Sequence, residues 1–226
     1  NHRLRTDADA DELFCKNSAA QHDLPFVSRK VDVGALAAQP GMSVETAARE
    51  LRYRALQAMA DEHRCGAIAL GHTADDQAET VLHNLSRGSG LRGLAGMPYR
   101  RGRFIRPVLD ISKKEIVRFL SQQEIAFRTD ATNKDMQFRR NKIRHEVVPY
   151  LARALNPRIS EALCRISAHT AEAEAFIDAM AKREAEKITK AKNANKIILD
   201  IVPFSGYFPV LRKYIIRNSL EALSGR

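Results

Sequence analysis

Residues 71–80 read Gly-His-Thr-Ala-Asp-Asp-Gln-Ala-Glu-Thr, and their acids are spaced for work on a phosphorylated substrate. Asp76 and Glu79 stand three apart, so on a helix both carboxylates fall on one face. Two carboxylates so placed can hold one hard cation such as Mg²⁺, normally with phosphate oxygens completing its shell. The structural alternative is that acids in a first helical turn offset the macrodipole, which is the reading for Asp75. His72 either contacts a ligand or fills the turn between strand and helix.

Residues 87–98 hold four of the chain's eleven glycines. Gly88, Gly90 and Gly93 match GxGxxG, but a dinucleotide fingerprint needs a strand before it and a helix after it. Here a helix comes first, so that reading is rejected. Arg87 and Arg92 make the loop cationic, and it either closes over a substrate or is a tight connection. Two basic stretches follow: Arg100, Arg101, Arg103 and Arg106, then Arg139, Arg140, Lys142 and Arg144 around Asn141. Neutralising phosphates is their natural use, and a solvated face is the alternative.

The elements that must position these groups follow from the pattern. Thr6 with Asp9 reads as a capping box for a helix over 7–22, ended by Pro25. Residues 26–33 alternate as a strand does, and 34–42 form a loop. Ser43 caps a helix over 44–64. The apolar run 66–71, bounded by glycines, has the mark of a buried parallel strand. A helix follows over 74–86. Ser112 and Glu115 open another to about 123, and 125–140 are irregular. From 141 the chain reads as helical, with Asn156-Pro157 as a cap and first turn. Ile159, Leu163, Ile166, Thr170, Ala173, Ile177 and Met180 then form a packed seam. The segment 182–196 is polar and lysine-rich, and 197–226 is a small separate unit. Helix and strand in alternation predict an α/β fold with a parallel sheet, followed by a smaller, mainly helical domain. Ligands of such sheets bind beyond the carboxyl ends of the strands, and here the second strand ends at Gly71.

The 226 residues carry 37 Lys+Arg against 27 Asp+Glu, a net charge of +10 with a pI near 9.8. That excess favours an anionic partner, nucleic acid first. Three cysteines, without a CxxC, exclude a disulfide scaffold or zinc ribbon and fit a reducing cytoplasm. With no apolar run of membrane-spanning length, no membrane partner is expected. Asn1-His2-Arg3-Leu4-Arg5 reads as the middle of a sequence rather than its start.

Several segments together resemble the tRNA(Ile)-lysidine synthetase family of PP-loop ATP pyrophosphatases. They are 71–80; Leu85 with 87–98; Arg106-Pro107-Val108-Leu109; Asp130-Ala131-Thr132-Asn133; and Arg140-Asn141-Lys142-Ile143-Arg144. Ala48-Arg49-Glu50-Leu51-Arg52-Tyr53 matches too, and residues 1–5 resemble the family's His-Gly-Leu-Arg segment, with Arg3 where glycine is usual. The resemblance covers roughly residues 1 to 165.

It implies a PP-loop domain over 1–145 and a helical tRNA-recognition domain over 146–226. It also implies a cytoplasmic ligase that uses ATP and Mg²⁺. C2 of the wobble cytidine of a tRNA(Ile) with a CAU anticodon is adenylated with loss of pyrophosphate, and the amine of free L-lysine then displaces AMP. The resemblance makes Asp76, Glu79, Arg52 and Arg144 catalytic, with Asp76 and Glu79 at the Mg²⁺; on chemical grounds Asp76 is the first candidate for the metal and Glu79 for the base that takes the proton of lysine's ammonium. It places His72, Asp76 and Arg87 against the nucleotide. Arg92, Arg100, Arg101, Arg103, Arg106, Arg139, Arg140, Asn141 and Lys142 are expected on the tRNA, and a homodimer is a further expected partner. The family's Ser-Gly-Gly-x-Asp-Ser loop is absent and is expected ahead of Asn1, so the chain as given is expected not to hydrolyse ATP. The family's C-terminal tRNA-contacting domain is expected to continue beyond Arg226. Two rivals stand beside this reading: a thiolase of the same fold, and a tRNA-binding module without catalysis.

Overall fold

The computed structural model describes residues 8–33, 44–128 and 139–224. The capping positions Thr6 and Ser43 lie outside them. Contacts group the chain into two units, one of Asn1–Gly71, Tyr99–Pro107 and Lys114–Ala131, the other of His72–Pro98, Val108–Lys113 and Thr132–Arg226. No helix among the described residues is long and apolar enough to cross a membrane.

In the first unit, α1 (Ala8–Gln21) and α2 (Val44–Glu62) precede the short strand β1 (Ile68–Ala69). The basic stretch at 100–106, which carried no strand in the sequence reading, is a hairpin of β2 (Arg100–Arg101) and β3 (Phe104–Ile105). Gly102 turns it with φ +60, a conformation that suits glycine. β3 lies between its neighbours, parallel to β1 and antiparallel to β2, with Ile68 opposite Phe104. The parallel pairing expected of 66–71 is therefore present. Ala60, Ile68 and Phe104 form the core, with Tyr53, Leu56 and Leu70 against it. The strand expected over 26–33 does not form. Alternation marks two faces, but a strand also needs a neighbour's N–H and C=O groups, and residues 24–32 have no ladder. Their polar side chains bond to helices instead: Ser28 to Glu12, Lys30 to Asp9 and Arg29 to Glu62. Helix α5 (Lys113–Gln122) matches its expected span.

In the second unit, α3 (Ala74–Ser86) has the bounds read from sequence. The glycine loop contains one helical turn, α4 (Leu91–Leu94). Helix α6 (Arg139–Lys142) passes through a single π-turn (Ile143–Val147) into α7 (Val148–Ala154). The wide turn is closed by the Val148 N–H on the Ile143 carbonyl, and Pro149, which has no N–H to give, follows at once. Asn156 Oδ1 accepts from the Arg158 N–H, so α8 (Ile159–Ile188) starts two residues later than the cap-and-proline reading placed it.

The 30-residue α8 is the backbone of this unit. Its packed seam keeps Ile159, Leu163 and Ile177, with Thr170 and Met180 half-buried, but Ser167, Glu174 and Ala181 turn inward while Ile166 and Ala173 are exposed. Ile166 is 48% exposed, whereas Ser167 is 2%. The polar members are admissible because each is bonded: Ser167 to Gln77 and Ala95, Glu174 to Arg217 and Tyr214. One end of α8 packs Leu163 on Ala78 and Val81 of α3. The other packs Ala181 and Ile188 on Tyr214 and Ile215 of α10 (Pro209–Ser224). The polar segment after 182 remains helical to 188 and then forms a hairpin of β4 (Thr189–Asn193) and β5 (Lys196–Leu199), followed by α9 (Ile201–Gly206).

Candidate functional site

The site is built at the first turn of α3. Thr73 is the N-cap in an extended conformation, and a capping box forms with Asp76 at the third helical position. Asp76 Oδ2 accepts from the Thr73 N–H at 2.9 Å and from the Thr73 hydroxyl at 3.0 Å. That fixes the carboxylate and leaves Oδ1 toward Glu79, one turn on. Asp75 turns elsewhere: its Oδ2 accepts from the Lys113 N–H at 2.7 Å, a structural role of the kind read for it from sequence.

Two arginines complete the cluster. Arg140 donates from Nε to Glu79 Oε2 at 2.8 Å and from Nη2 to Asp76 Oδ1 at 2.8 Å. Arg144 donates from Nε to Glu79 Oε1 at 2.6 Å and from Nη2 to Asp76 Oδ1 at 3.1 Å and Glu79 Oε2 at 2.9 Å. The Glu79 side chain is 3% exposed, against 34% for Arg140 and 25% for Arg144. The acids thus form the floor and the guanidinium groups face outward. Burial alone would push the Arg144 guanidinium down, but hydrogen bonding to Glu79 and the charges of Glu79, Asp76 and Asp75 outweigh it and hold it above its ordinary value. Arg144 therefore carries its charge at any working pH.

This geometry does not fit Mg²⁺ at Asp76 and Glu79. A hard cation needs oxygens with open lone pairs and net negative charge around it. Here all four carboxylate oxygens accept from Thr73, Arg140 or Arg144, and two acids balance two guanidinium groups. Among the described residues no group of three or more His, Cys, Asp or Glu is placed to hold a metal ion. The base expected at Glu79 is likewise buried with both oxygens engaged. What the cluster can do is hold two arginines rigidly toward an anion, through charge-assisted, fork-shaped contacts.

His72 is half-buried beside the cap of α3. Arg87 is the C-cap of the same helix, so its backbone lies eleven residues from Asp76, roughly 16 Å along the axis. Arg92 pairs with Glu221. Arg140, expected on tRNA, belongs to the carboxylate cluster. Asn141 is 9% exposed and buried in α6, while Arg139 and Lys142 are exposed on either side. In the first unit, Arg52 is exposed on α2 and lines a cavity with Cys15, Phe26 and Met59. Arg103 is tied to Asp61 and the Cys65 carbonyl, which fastens the hairpin to the end of α2. Arg106 is 4% exposed and so is no open phosphate contact, whereas Arg100 and Arg101 are exposed. A run of arginines in sequence does not tell a paired or buried charge from a solvated one.

Sequence reasoning missed two features. The Thr73-x-x-Asp76 box was legible, being the pattern already read at Thr6 and Ser112. The second is a clamp on the glycine loop. Gln77 Nε2 donates to the Met97 carbonyl at 3.1 Å and to Ser167 Oγ at 2.9 Å, while its Oε1 accepts from the Met97 N–H at 2.8 Å. Ser167 in turn donates to the Ala95 carbonyl at 2.8 Å. Gly96, at φ +65, sits inside this clamp, where a Cβ would come within 2.7 Å of the Gln77 amide. Nothing local signalled it, since Ser167 lies 90 residues from Gln77.

The chain is similar to known proteins along its length. A family model described as a PP-loop domain matches residues 1–151. Proteins named tRNA(Ile)-lysidine synthase are 43% identical in Geobacter sulfurreducens, over 100% of this chain and 48% of the relative, and 40% identical in Chlorobaculum tepidum, over 79% and 54%. The chain spans about half the length of these curated relatives. Among solved structures, the U34-tRNA thiolase NcsA from Methanococcus maripaludis with its [4Fe-4S] cluster aligns with a TM-score of 0.54 at 15% identity, over 76% of this chain and 60% of that one, a likeness of fold. With the parallel β1–β3 pair leading into α3 and its capped acidic turn, these matches agree on one conclusion: the chain belongs to the PP-loop domain family.

Proposed function

We propose that this chain is part of a tRNA(Ile)-lysidine synthetase. It would adenylate C2 of the wobble cytidine in a tRNA(Ile) with a CAU anticodon and ligate free lysine there. The C2 oxygen attacks the α-phosphorus of ATP and pyrophosphate leaves; the lysine amine then attacks C2 and AMP leaves with its bonding pair. The observation that carries this reading is the 43% identity over the whole chain to a protein so named. The cluster supports it on chemical grounds. Attack on ATP spreads negative charge over phosphate oxygens, and preorganised cations stabilise such charge at no reorganisation cost. In this reading Arg140 and Arg144 meet that charge, and Asp76 and Glu79 position them; any Mg²⁺ carried by the nucleotide is held elsewhere. The proposed domain boundary remains near residue 145, and the proposed setting is the cytoplasm.

The test is to incubate the protein expressed from its whole coding region with ATP, lysine and a tRNA(Ile) transcript, and to digest the RNA for mass spectrometry. Lysidine at the wobble position is the expected product. An unmodified cytidine with ATP and lysine both present refutes the reading.

A further inference from the structure

A cavity of about 590 Å³ in the first unit has none of the four cluster residues in its lining. It lies between α2 and the β2–β3 hairpin, and Arg49, Tyr53, Arg54, Arg101, Phe104 and Arg106 are among its walls. Its size suits one nucleotide or a small ligand. Arg106 is buried, and Arg54 is paired with Glu50, the one carboxylate of the lining. Arg49 and Arg101 are exposed and give the concave surface an excess of two positive charges. The aromatic wall is ordered: the Tyr53 and Phe104 rings meet at 4.7 Å and 59°, and the Arg49 guanidinium lies over the Tyr53 ring at 5.1 Å. Arg49 also reaches the Tyr53 hydroxyl at 3.4 Å. A flat cation held on an aromatic ring is a platform on which a nucleobase stacks, and neighbouring arginines suit its phosphate. Arg100, the other residue of β2, falls on the opposite face of the strand and donates from Nε to the Gly102 carbonyl at 3.0 Å, so the charge facing the cavity from this strand is that of Arg101.

We propose that this cavity receives one nucleotide of an RNA loop, its base on the Arg49–Tyr53 stack and its phosphate between Arg49 and Arg101. The inference rests on the tRNA reading above and names where unit one takes part in it.

The test uses a fluorescently labelled stem-loop with the CAU anticodon, its affinity for the chain read by anisotropy over a salt series. Arg49→Gln and Arg101→Gln change exposed side chains, and circular dichroism checks that both variants fold. Each is expected to weaken binding several-fold and to lower the slope of log K against log salt by about 0.7, the counterion share of one single-strand phosphate. Tyr53→Leu is expected to weaken binding roughly tenfold with the slope unchanged, the signature of lost stacking. Lys213→Gln, exposed on α10, serves as the control. A 4-thiouridine stem-loop should cross-link to the peptide bearing Tyr53. Slopes and affinities equal to the control overturn the cavity assignment and leave the proposed function standing. Loss in the variants, together with no lysidine from the complete gene product, overturns the function and leaves the cavity. AMP competing as well as the stem-loop would make this a free-nucleotide site and overturn the RNA assignment. A wild-type chain that binds no stem-loop at any salt also overturns it.

Discussion

Glu79→Gln is the most informative single perturbation. The native carboxylate, 3% exposed, takes three hydrogen bonds of 2.6–2.9 Å from two guanidinium groups. The amide keeps the volume but removes the charge and sets an NH₂ donor against an arginine donor. Breaking a buried ion pair from one side costs about 3–5 kcal/mol. The arginines retain 34% and 25% exposure and keep Asp76 as a partner, so the loss falls to about 2–3 kcal/mol. Urea unfolding of the chain followed by far-UV circular dichroism measures it. Arg144→Gln alone and the double variant complete a cycle, with an expected coupling of about 1–2 kcal/mol. A midpoint unchanged in Glu79→Gln, or a coupling near zero, would refute the picture of a carboxylate floor holding two arginines.

Four further outcomes follow from the geometry. Without nucleotide, Mg²⁺ should leave the melting of the chain unaltered; a cation present at ~100 times its Kd would add about 2.7 kcal/mol, so a clear upward shift by calorimetry would restore a metal to the site. Gly96→Ala should cost about 2 kcal/mol or more, because its φ of +65 is joined by a Cβ collision, whereas Gly88→Ala, at φ +72 in open space, should cost about 1; equal urea midpoints would deny the clamp. Ser167→Ala should cost about 1–3 kcal/mol, since it strips the buried Gln77 amide and the Ala95 carbonyl of a partner; a loss below about 0.5 in the same assay contradicts the bonds described. In acid, Asp178 is held below its ordinary 3.8: burial raises it, but Lys182, Asn218 and Arg217 outweigh that. Glu184 is held below 4.5, mainly by Lys187 and Tyr207. A depressed folded value stabilises above the unfolded value and is lost as pH falls through the folded one. The tyrosine near-UV signal of the α8–α10 pair should therefore hold near pH 5 and fade below about 4; a signal flat into stronger acid counts against these pairs.

What the sequence disclosed and what it hid divide along physical lines. The bounds of α3 and the shared face of Asp76 and Glu79 were legible, because helix periodicity and first-turn acids are local. Their partners were not, since Arg140 and Arg144 lie 64 and 65 residues away and only folding decides which acids they meet. The same limit applied to the α8 seam. Hydrophobic spacing chose Ile166 and Ala173, while buried hydrogen bonds chose Ser167 and Glu174. Residues 26–32 alternate correctly and still form no ladder, because pairing is a property of two segments and pattern is a property of one.

The π-turn at Ile143–Val147 gives the helix that carries Arg140 and Arg144 one residue more than an α-helical path needs. The surplus sets the phase between Arg140, ahead of the turn, and the apolar side of α7 after it, with Arg144 inside the turn itself. Deleting a single residue there would restore regular winding while swinging one half against the other by about 100°. Either Arg140 would leave the carboxylates or α7 would lose its seat. The segment is thus intolerant of a length change that most helix ends absorb, and a one-codon deletion at this point is a sharper probe of the cluster than many substitutions.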